Sequence, residues 1–131
     1  MTAPHPLRPR ETVVAATDYE GTVAFYRDVL GFEVTDTFSE GYHHTNLRTA
    51  SGMKIGITPA AEVGIEPIDR EANTVLMQVE VDDVPAFLEH VAAGGGSVQF
   101  GPSKSEGAGF WYGAFRDPEG NPIWVVDGTC P

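Results

Sequence analysis

Histidine and cysteine side chains are the first candidates for chemistry in this sequence. His43 and His44 are adjacent in a predicted β-strand, where neighbouring side chains point to opposite faces. Only one of the two can therefore enter a shared binding site. The single cysteine, Cys130, stands beside the C-terminus, so it cannot form an intrachain disulfide and is poorly placed as a nucleophile. No Cys–His or Ser–His–Asp arrangement is visible, and His5 and His90 are predicted to be surface residues.

Aromatic side chains form the second group of candidates, because they bind flat or apolar molecules by stacking and burial. The two tryptophans, Trp111 and Trp124, offer the largest rings. The Gly-rich segment 106–109 precedes Trp111 and is predicted to be a loop that closes over a bound molecule. In a regular strand Phe110 and Tyr112 lie on the face opposite Trp111. Aromatic residues on strands are also typical of ordinary sheet packing, so both interpretations stay open.

Composition and charge restrict the classes of partner. The chain of 131 residues is long enough for one domain. Its net charge of −11 argues against nucleic acid and anionic membranes as partners. The acidity either attracts a cationic or amphiphilic ligand or simply keeps the protein soluble. Because no apolar run reaches transmembrane length and the N-terminal residues lack a hydrophobic signal core, we expect a cytoplasmic protein.

The elements that must position these residues repeat along the chain. The first half predicts a helix that begins at a capping box formed by Thr17 and Glu20 and ends at Gly31. Its strands are predicted at residues 12–16, 32–38, 42–49 and 53–58. The polar segment 59–72 is predicted to link the halves.

The second half repeats this order. Asp82 and Asp83 are predicted to cap a helix that has Pro85 in its first turn and ends at Gly94–Gly96. The predicted apolar face of this helix consists of Phe87, Leu88, Val91 and Ala92, and the predicted strands are 74–81, 97–100, 110–116 and 122–126. The fold class is therefore predicted to be α+β, with two β-α-β-β-β modules (about 11–58 and 73–127) in a single domain of residues 1–131. Neither module can bury both sheet faces alone, so the two are expected to share a core and leave a cupped mixed sheet with helices on its convex side.

Two phrases resemble one superfamily. The first is Thr17-Asp18 followed by Phe25-Tyr26-Arg27-Asp28-Val29-Leu30-Gly31-Phe32. The second is Val81-Asp82-Asp83-Val84 with Gly94-Gly95-Gly96, followed by Phe115-Arg116-Asp117-Pro118-Glu119-Gly120-Asn121-Pro122-Ile123. In this order they resemble the vicinal oxygen chelate superfamily, which contains glyoxalases, bleomycin resistance proteins and extradiol dioxygenases. The resemblance spans about residues 11–127. It implies a cupped sheet, often completed by a two-fold dimer, and in the enzymes a divalent metal held inside the cup.

The resemblance also implies where metal ligands would stand. The matching positions are Glu11 on the first strand, Leu76 on the fifth and Trp124 on the last, while the fourth strand, 53–57, offers no carboxylate or imidazole. A catalytic metal takes about three protein ligands. We therefore predict no metal cofactor; the alternative is a divalent ion with Glu11 among its ligands.

These observations give a primary hypothesis and two alternatives. The first is a metal-free homodimer that captures an aromatic or amphiphilic molecule, such as a natural-product antibiotic, and confers resistance by sequestration. The predicted ligand-binding residues are Trp124, Trp111, Phe38, Tyr42, His44, Leu76, Met53, Phe110 and Glu11. The second is a glyoxalase-like lyase or isomerase, or a dioxygenase, in which Glu11 and His44 act as an acid–base pair with or without a metal. The third is a folded domain that serves another protein.

Overall fold

The computed structural model describes residue 5, residues 8–66 and residues 75–131. In the first module, helix α1 (Tyr19–Ala24) continues as one π-helical turn over Phe25–Val29. The strands are β1 (Thr12–Ala16), β2 (Glu33–Phe38), β3 (His44–Arg48) and β4 (Lys54–Pro59). Their positions agree with the prediction to within two residues. A 3-10 turn at Ala60–Val63 follows β4, and the rest of the predicted linker lies partly outside the described residues.

The second module repeats the order of elements. Its helix is α2 (Val84–Ala93), and its strands are β5 (Met77–Glu80), β6 (Ser97–Lys104), β7 (Trp111–Arg116) and β8 (Pro122–Val126). Strand β6 is four residues longer than predicted, and Thr74, the predicted start of β5, lies outside the described residues. Asp83 caps α2 by accepting a hydrogen bond from the Ala86 N–H at 3.1 Å, as the sequence indicates.

Each module forms one four-stranded mixed sheet. The strand order is β1-β4-β3-β2 in the first sheet and β5-β8-β7-β6 in the second. In both sheets the first strand runs parallel to the last strand of its module, and the other neighbours are antiparallel. The α+β class with two repeated modules is therefore confirmed.

The two modules share one hydrophobic core. Alternate residues of β3 and β4 (Leu47, Ile55 and Ile57) and of β7 and β8 (Phe115, Ile123 and Val125) join a single buried cluster. Residues from both helical segments, including Phe25, Tyr26, Leu88 and Val91, complete it. Because this core covers one side of each sheet, the side chains at the intervening strand positions are left on the opposite, open side.

A buried carboxylate ties the first module to the second. Glu119, in the turn between β7 and β8, is 5 % exposed. Its oxygens accept hydrogen bonds from the Thr17 N–H at 2.8 Å, the Thr17 hydroxyl at 2.7 Å and the Asp18 N–H at 2.8 Å. The Thr22 hydroxyl donates at 3.4 Å. This Glu119 clasp fixes the start of α1 against the second module.

A second contact between the modules lies beside the clasp. The Tyr26 hydroxyl donates to Asp117 Oδ2 at 2.8 Å, and both residues are buried. Burial, followed by the nearby Asp117 charge, raises the pKa of Tyr26 well above its usual range, so the phenol remains a donor at all physiological pH values. Asp117 also accepts from the backbone N–H groups of Glu119 and Asn121, each at 2.9 Å. The turn residues of the second sequence phrase therefore serve as structural connectors.

Two local predictions are wrong. The capping box does not form, because Thr17 is drawn to Glu119 and Asp18 caps α1 instead, accepting from the Gly21 N–H at 3.1 Å. Ala92 is exposed, and Val84 takes its place on the buried face of α2. No helix in the described part of the chain is long and apolar enough to span a membrane.

Candidate functional site

The open side of the first sheet, called here the first face, is set by strand register. Asn46 lies opposite Gly56 and Asp36, and His44 lies opposite Phe38. Arg48 lies opposite Lys54, and Glu11 immediately precedes the Thr12–Ile55 pair. Directly opposed residues share a side of the sheet, so polar side chains collect on this face.

Glu11 and His44 form a hydrogen-bonded pair at the centre of the first face. Glu11 Oε1 and His44 Nε2 are 3.1 Å apart, and the side chains are only 16 % and 14 % exposed, respectively. If the imidazole carries its proton on Nε2, it donates to the carboxylate, and Nδ1 is left as the basic nitrogen. The geometry thus brings together the two residues that the sequence analysis suggested as an acid–base pair.

Glycine at position 56 creates the space for this pair. A Cβ atom on Gly56 would lie 2.5 Å from His44 Nε2 and 2.7 Å from Glu11 Oε1. Side chains from β3 and from the start of β1 can therefore meet directly above β4 only because the strand between them has no side chain at that point. No local sequence signal marks Gly56 as part of the site, and only the strand pairing reveals its role.

His43 lies on the other side of β3 from His44, as strand alternation requires. Its ring nitrogen Nδ1 is 2.8 Å from Glu62 Oε2, and its backbone N–H donates to Glu62 Oε1 at 2.9 Å. These contacts, led by the backbone hydrogen bond, lower the pKa of Glu62. His43 is therefore engaged with the turn after β4 and takes no part in the first face.

The first face has a polar end and an aromatic end. At the polar end a cavity of about 260 Å³ includes Glu11, Asn46 and Arg48 in its lining. Within the described residues, the buried Asn46 Oδ1 has no hydrogen-bond partner. At the other end Phe38 and Tyr42 stack with ring centroids 6.2 Å apart and an interplanar angle of 13°. Both rings are exposed, in agreement with an available apolar surface.

The open side of the second sheet, called here the second face, is aromatic. A cavity of about 620 Å³ is lined by Trp124, Phe100, Phe110 and Tyr112, with Gln78, Lys104, Ser105, Glu106, Gly113, Val125, Val126 and Cys130. Trp124 and Phe100 are 44 % and 42 % exposed, which is unusual for rings of this size. Tyr112 lies opposite Val126 in the β7–β8 register, and its ring contacts both Phe100 and Phe110. This surface can take up a flat apolar molecule.

Two of the predicted site residues, Trp111 and Met53, face the shared core. Trp111 lies on the opposite side of β7 from Tyr112 and packs against the shared core, and Met53 packs there too. Leu76 is partly buried, one residue before β5. The predictions that Trp111, Met53 and Leu76 bind a ligand remain predictions, and none of the three is among the residues that line the cavities of the first and second faces. Tyr112 was predicted to lie on the side opposite Trp111 and was given no ligand role, yet it lines the cavity of the second face, and Trp111 does not.

The donor set is a test of whether a divalent metal fits. Among the described residues no group of three or more His, Cys, Asp or Glu side chains could hold a metal ion. Glu11 and His44 supply two donors, and a catalytic divalent ion takes about three. These donors do not fit a metal held by one module alone.

Comparison with known proteins identifies the family. The profile described as the glyoxalase/bleomycin resistance protein/dioxygenase superfamily matches residues 8–125. A hypothetical protein from S. aureus is similar in structure, with a TM-score of 0.77, 19 % identity and coverage of 94 % of this chain and 95 % of its own. A family enzyme from Burkholderia phytofirmans PsJN has a TM-score of 0.72 and 18 % identity, covering 89 % and 95 %.

An integron cassette protein from the mobile metagenome of V. cholerae is similar over nearly its whole length. It has 26 % identity and a TM-score of 0.65, and covers 97 % of this chain and 99 % of its own. No curated protein matches the sequence. The extent of the profile match, over two complete modules, establishes that this chain belongs to the glyoxalase/bleomycin resistance protein/dioxygenase superfamily.

Proposed function

We propose that this protein binds an aromatic or amphiphilic small molecule, such as a natural-product antibiotic, and sequesters it in the cytoplasm without a metal. The observation that carries the proposal is the 620 Å³ cavity of the second face, where Trp124 and Phe100 remain exposed. Cavities of this size are typical of small-molecule sites. Burial of apolar ring area contributes roughly 25 cal/mol per Å².

The protein functions in this proposal as a homodimer. The cavities of the first and second faces are each lined by residues of one module only. Each is therefore open on the side away from the shared core, and a ligand held there would keep much of its apolar surface in water. A second copy that sets its first face against the second face of its partner would enclose the ligand between a polar and an aromatic wall.

Fluorescence titration tests the binding proposal. We expect bleomycin or a planar anthracycline to quench tryptophan emission saturably in the wild-type protein. Because Trp124 lines the cavity, the quenching should persist in Trp111→Phe and be lost in Trp124→Phe. Mass spectrometry should recover the drug unchanged. Absence of saturable quenching by any member of such a panel, or conversion of the drug, would contradict sequestration.

A second candidate function is supported by the Glu11–His44 pair. A carboxylate 3.1 Å from an imidazole that is only 14 % exposed is suited to proton transfer at carbon next to a carbonyl group. His44 would take the proton while Glu11 holds the ring and balances the charge. Deuterium uptake by an α-hydroxy ketone in D₂O, absent in Glu11→Gln and His44→Gln, would favour this lyase or isomerase function over sequestration.

A further inference from the structure

Basic residues are concentrated on one part of the first face. The chain has only 8 Lys and Arg residues against 19 Asp and Glu. Three of the eight, Arg10, Arg48 and Lys54, line the 260 Å³ cavity beside Glu11. A strongly acidic protein thus carries a local cluster of cations in the lining of this polar cavity. The field that a ligand meets there is set by these neighbouring charges and not by the net charge.

Strand register fixes the order of groups along this face. Arg48 and Lys54 are directly opposed across β3 and β4. One step along the strands lies the Asn46–Gly56 pair, and beyond it His44 lies opposite Phe38. A molecule lying along the strands would therefore meet the cations first, then Glu11 and His44, and finally the aromatic end.

The cations are largely available for an external partner. Within the described residues no ion pair is found for Arg10 or Lys54, and the only one of Arg48 is a 3.8 Å contact with Glu33. Both members of that pair are more than half exposed, so water screens it strongly.

The acidic groups that line the same cavity are Glu11 and Asp36, and Glu11 is already engaged by His44. Glu33, which lies opposite Arg48, adds a third carboxylate on this face. Because the Glu33 side chain is 71 % exposed, water screens its charge and it neutralises Arg48 only in part.

Asn46 supplies a second, independent indication of a ligand. Asn46 is one of the residues that line this cavity, and its buried Oδ1 has no partner among the described residues, although buried polar atoms are normally satisfied by protein, water or ligand. Because the oxygen and nitrogen of an amide can exchange places by rotation, Asn46 can accept from a ligand hydroxyl or donate to a ligand oxygen.

We propose that the cavity lined by Arg10, Arg48 and Lys54 binds the oxyanion of an amphiphilic small molecule, a carboxylate or a phosphate, whose apolar part extends over Glu11 and His44 toward Phe38 and Tyr42. This inference rests on the proposed function, small-molecule binding at the open faces, and specifies the chemical class of the ligand. It replaces the cationic ligand that net charge alone favours. Arg side chains offer paired donors that match the geometry of both oxyanions.

Three matched naphthalene probes test the inference. They are 2-naphthoate, 2-naphthyl phosphate and the neutral 2-naphthamide, titrated by calorimetry while the imidazole NMR signal of His44 is followed. We expect the better of the two anions to bind at least about tenfold more tightly than the amide and to shift the His44 signal. This preference should shrink as salt is added. Comparing the carboxylate with the phosphate identifies which oxyanion the cavity prefers.

Charge-removing variants locate the effect. Arg48→Gln and Lys54→Gln should each weaken anion binding roughly three- to tenfold and leave amide binding unchanged. Arg27→Gln is the matched control, because this exposed residue is paired with Asp28 on the helical segment. Equal affinity for anions and amide, or a loss of anion binding in Lys104→Gln of the second face instead, would overturn the inference.

The two proposals fail in distinguishable ways. If the anions quench Trp124 without shifting the His44 signal, the oxyanion cavity is wrong while binding at the second face stands. If none of the probes quenches Trp124 or shifts the His44 signal, the oxyanion proposal is wrong, and the drug titration alone decides the proposed function.

Discussion

The first and second faces have the same backbone and opposite chemistry. In the first module Thr12 pairs with Ile55, and in the second Met77 pairs with Ile123. Glu11 and Leu76, the residues before Thr12 and Met77, are therefore equivalent. By the same reasoning Gly56 is equivalent to Trp124, since they pair with Val13 and Gln78.

The equivalence extends to the neighbouring strands. Asn46 pairs with Gly56 as Ala114 pairs with Trp124, so His44 and Tyr112 also occupy equivalent positions, two residues earlier. On the core side both modules carry apolar residues at these registers, such as Leu47 and Phe115. The repeated frame thus fixes where side chains stand, and the side chains on the open side alone decide whether a face is polar or aromatic.

The contrast between Gly56 and Trp124 shows how one position sets the character of a face. Without a side chain at 56, carboxylate and imidazole approach each other over the strand. With an indole at 124, the same place becomes an apolar platform.

The largest expected effect comes from loosening the frame that both faces share. Glu119→Ala removes a buried carboxylate and leaves the N–H groups of Thr17 and Asp18 without their hydrogen-bond acceptor. We expect a loss of about 3 kcal/mol in the free energy of unfolding, in one cooperative transition, because both modules share the core. Denaturant unfolding measures this loss, with exposed Glu89→Ala as control. Two separate transitions would show that the faces belong to independent folding units.

Removing the indole should affect the second face alone. Trp124→Ala is expected to weaken binding of a planar aromatic ligand roughly 10- to 30-fold, since about 2 kcal/mol of apolar burial is lost. Isothermal calorimetry provides the affinity, and the His44 NMR signal of the free protein should not move. Val63→Ala is a suitable control because it removes an exposed apolar side chain outside both cavities. Unchanged affinity in Trp124→Ala would rule out the indole as the binding platform.

Adding a methyl group at Gly56 should disturb the first face alone. Gly56→Ala places Cβ where His44 and Glu11 meet, so the pair must separate, at a cost in stability of about 1 kcal/mol. The ¹⁵N imidazole spectrum of His44 reports the loss of its hydrogen bond to Glu11. Gly107→Ala is the matched control, since its Cβ would meet no atom within 4 Å. An unaltered His44 spectrum in Gly56→Ala would mean that the pair does not depend on this glycine.

The smallest expected effect is a local change at low pH in the turn that borders the second face. A hydrogen bond from the Thr129 hydroxyl, followed by one from the Trp111 N–H, lowers the pKa of Asp127 from its ordinary 3.8. A lowered folded pKa gives stability that is present above 3.8 and is lost as the pH falls through the folded value. Below that pH we therefore expect the hydrogen bond from the Trp111 N–H to the Asp127 carboxylate to weaken, while the backbone hydrogen bond from the Asp127 N–H to the Trp111 carbonyl still holds the turn.

Amide NMR of Trp111 and Thr129 follows this change, and Asp127→Ala should show the weakened contacts already at neutral pH. Asp82→Ala, on an exposed position before α2, is the control. Unchanged amide signals of Trp111 and Thr129 in Asp127→Ala would contradict the assigned role of this carboxylate.

Much of the fold was predictable from sequence because its signals are local. Alternating apolar residues indicate the strands, and glycines and prolines indicate their ends. Asp83 indicates the start of α2, because its carboxylate accepts from the N–H three residues later. The capping-box prediction was wrong for a non-local reason, because the Thr17 hydroxyl donates to Glu119, 102 positions away. The assignment of the site residues stays a prediction, and sequence could not tell that Trp111 faces the core, because the phase of a strand is set by its neighbours.

The sequence by itself determined the order of elements, the family to which the chain belongs and the presence of Glu11, His44 and Trp124 at strand positions that can reach an open face. Only the tertiary structure decided that Glu11 and His44 touch over Gly56, that three of the few cations gather beside them, and that the aromatic rings line a separate face. The reason is physical: each of these contacts joins strands that are neighbours in the sheet but distant in sequence. A local sequence pattern cannot identify two residues that become neighbours only when the sheet forms.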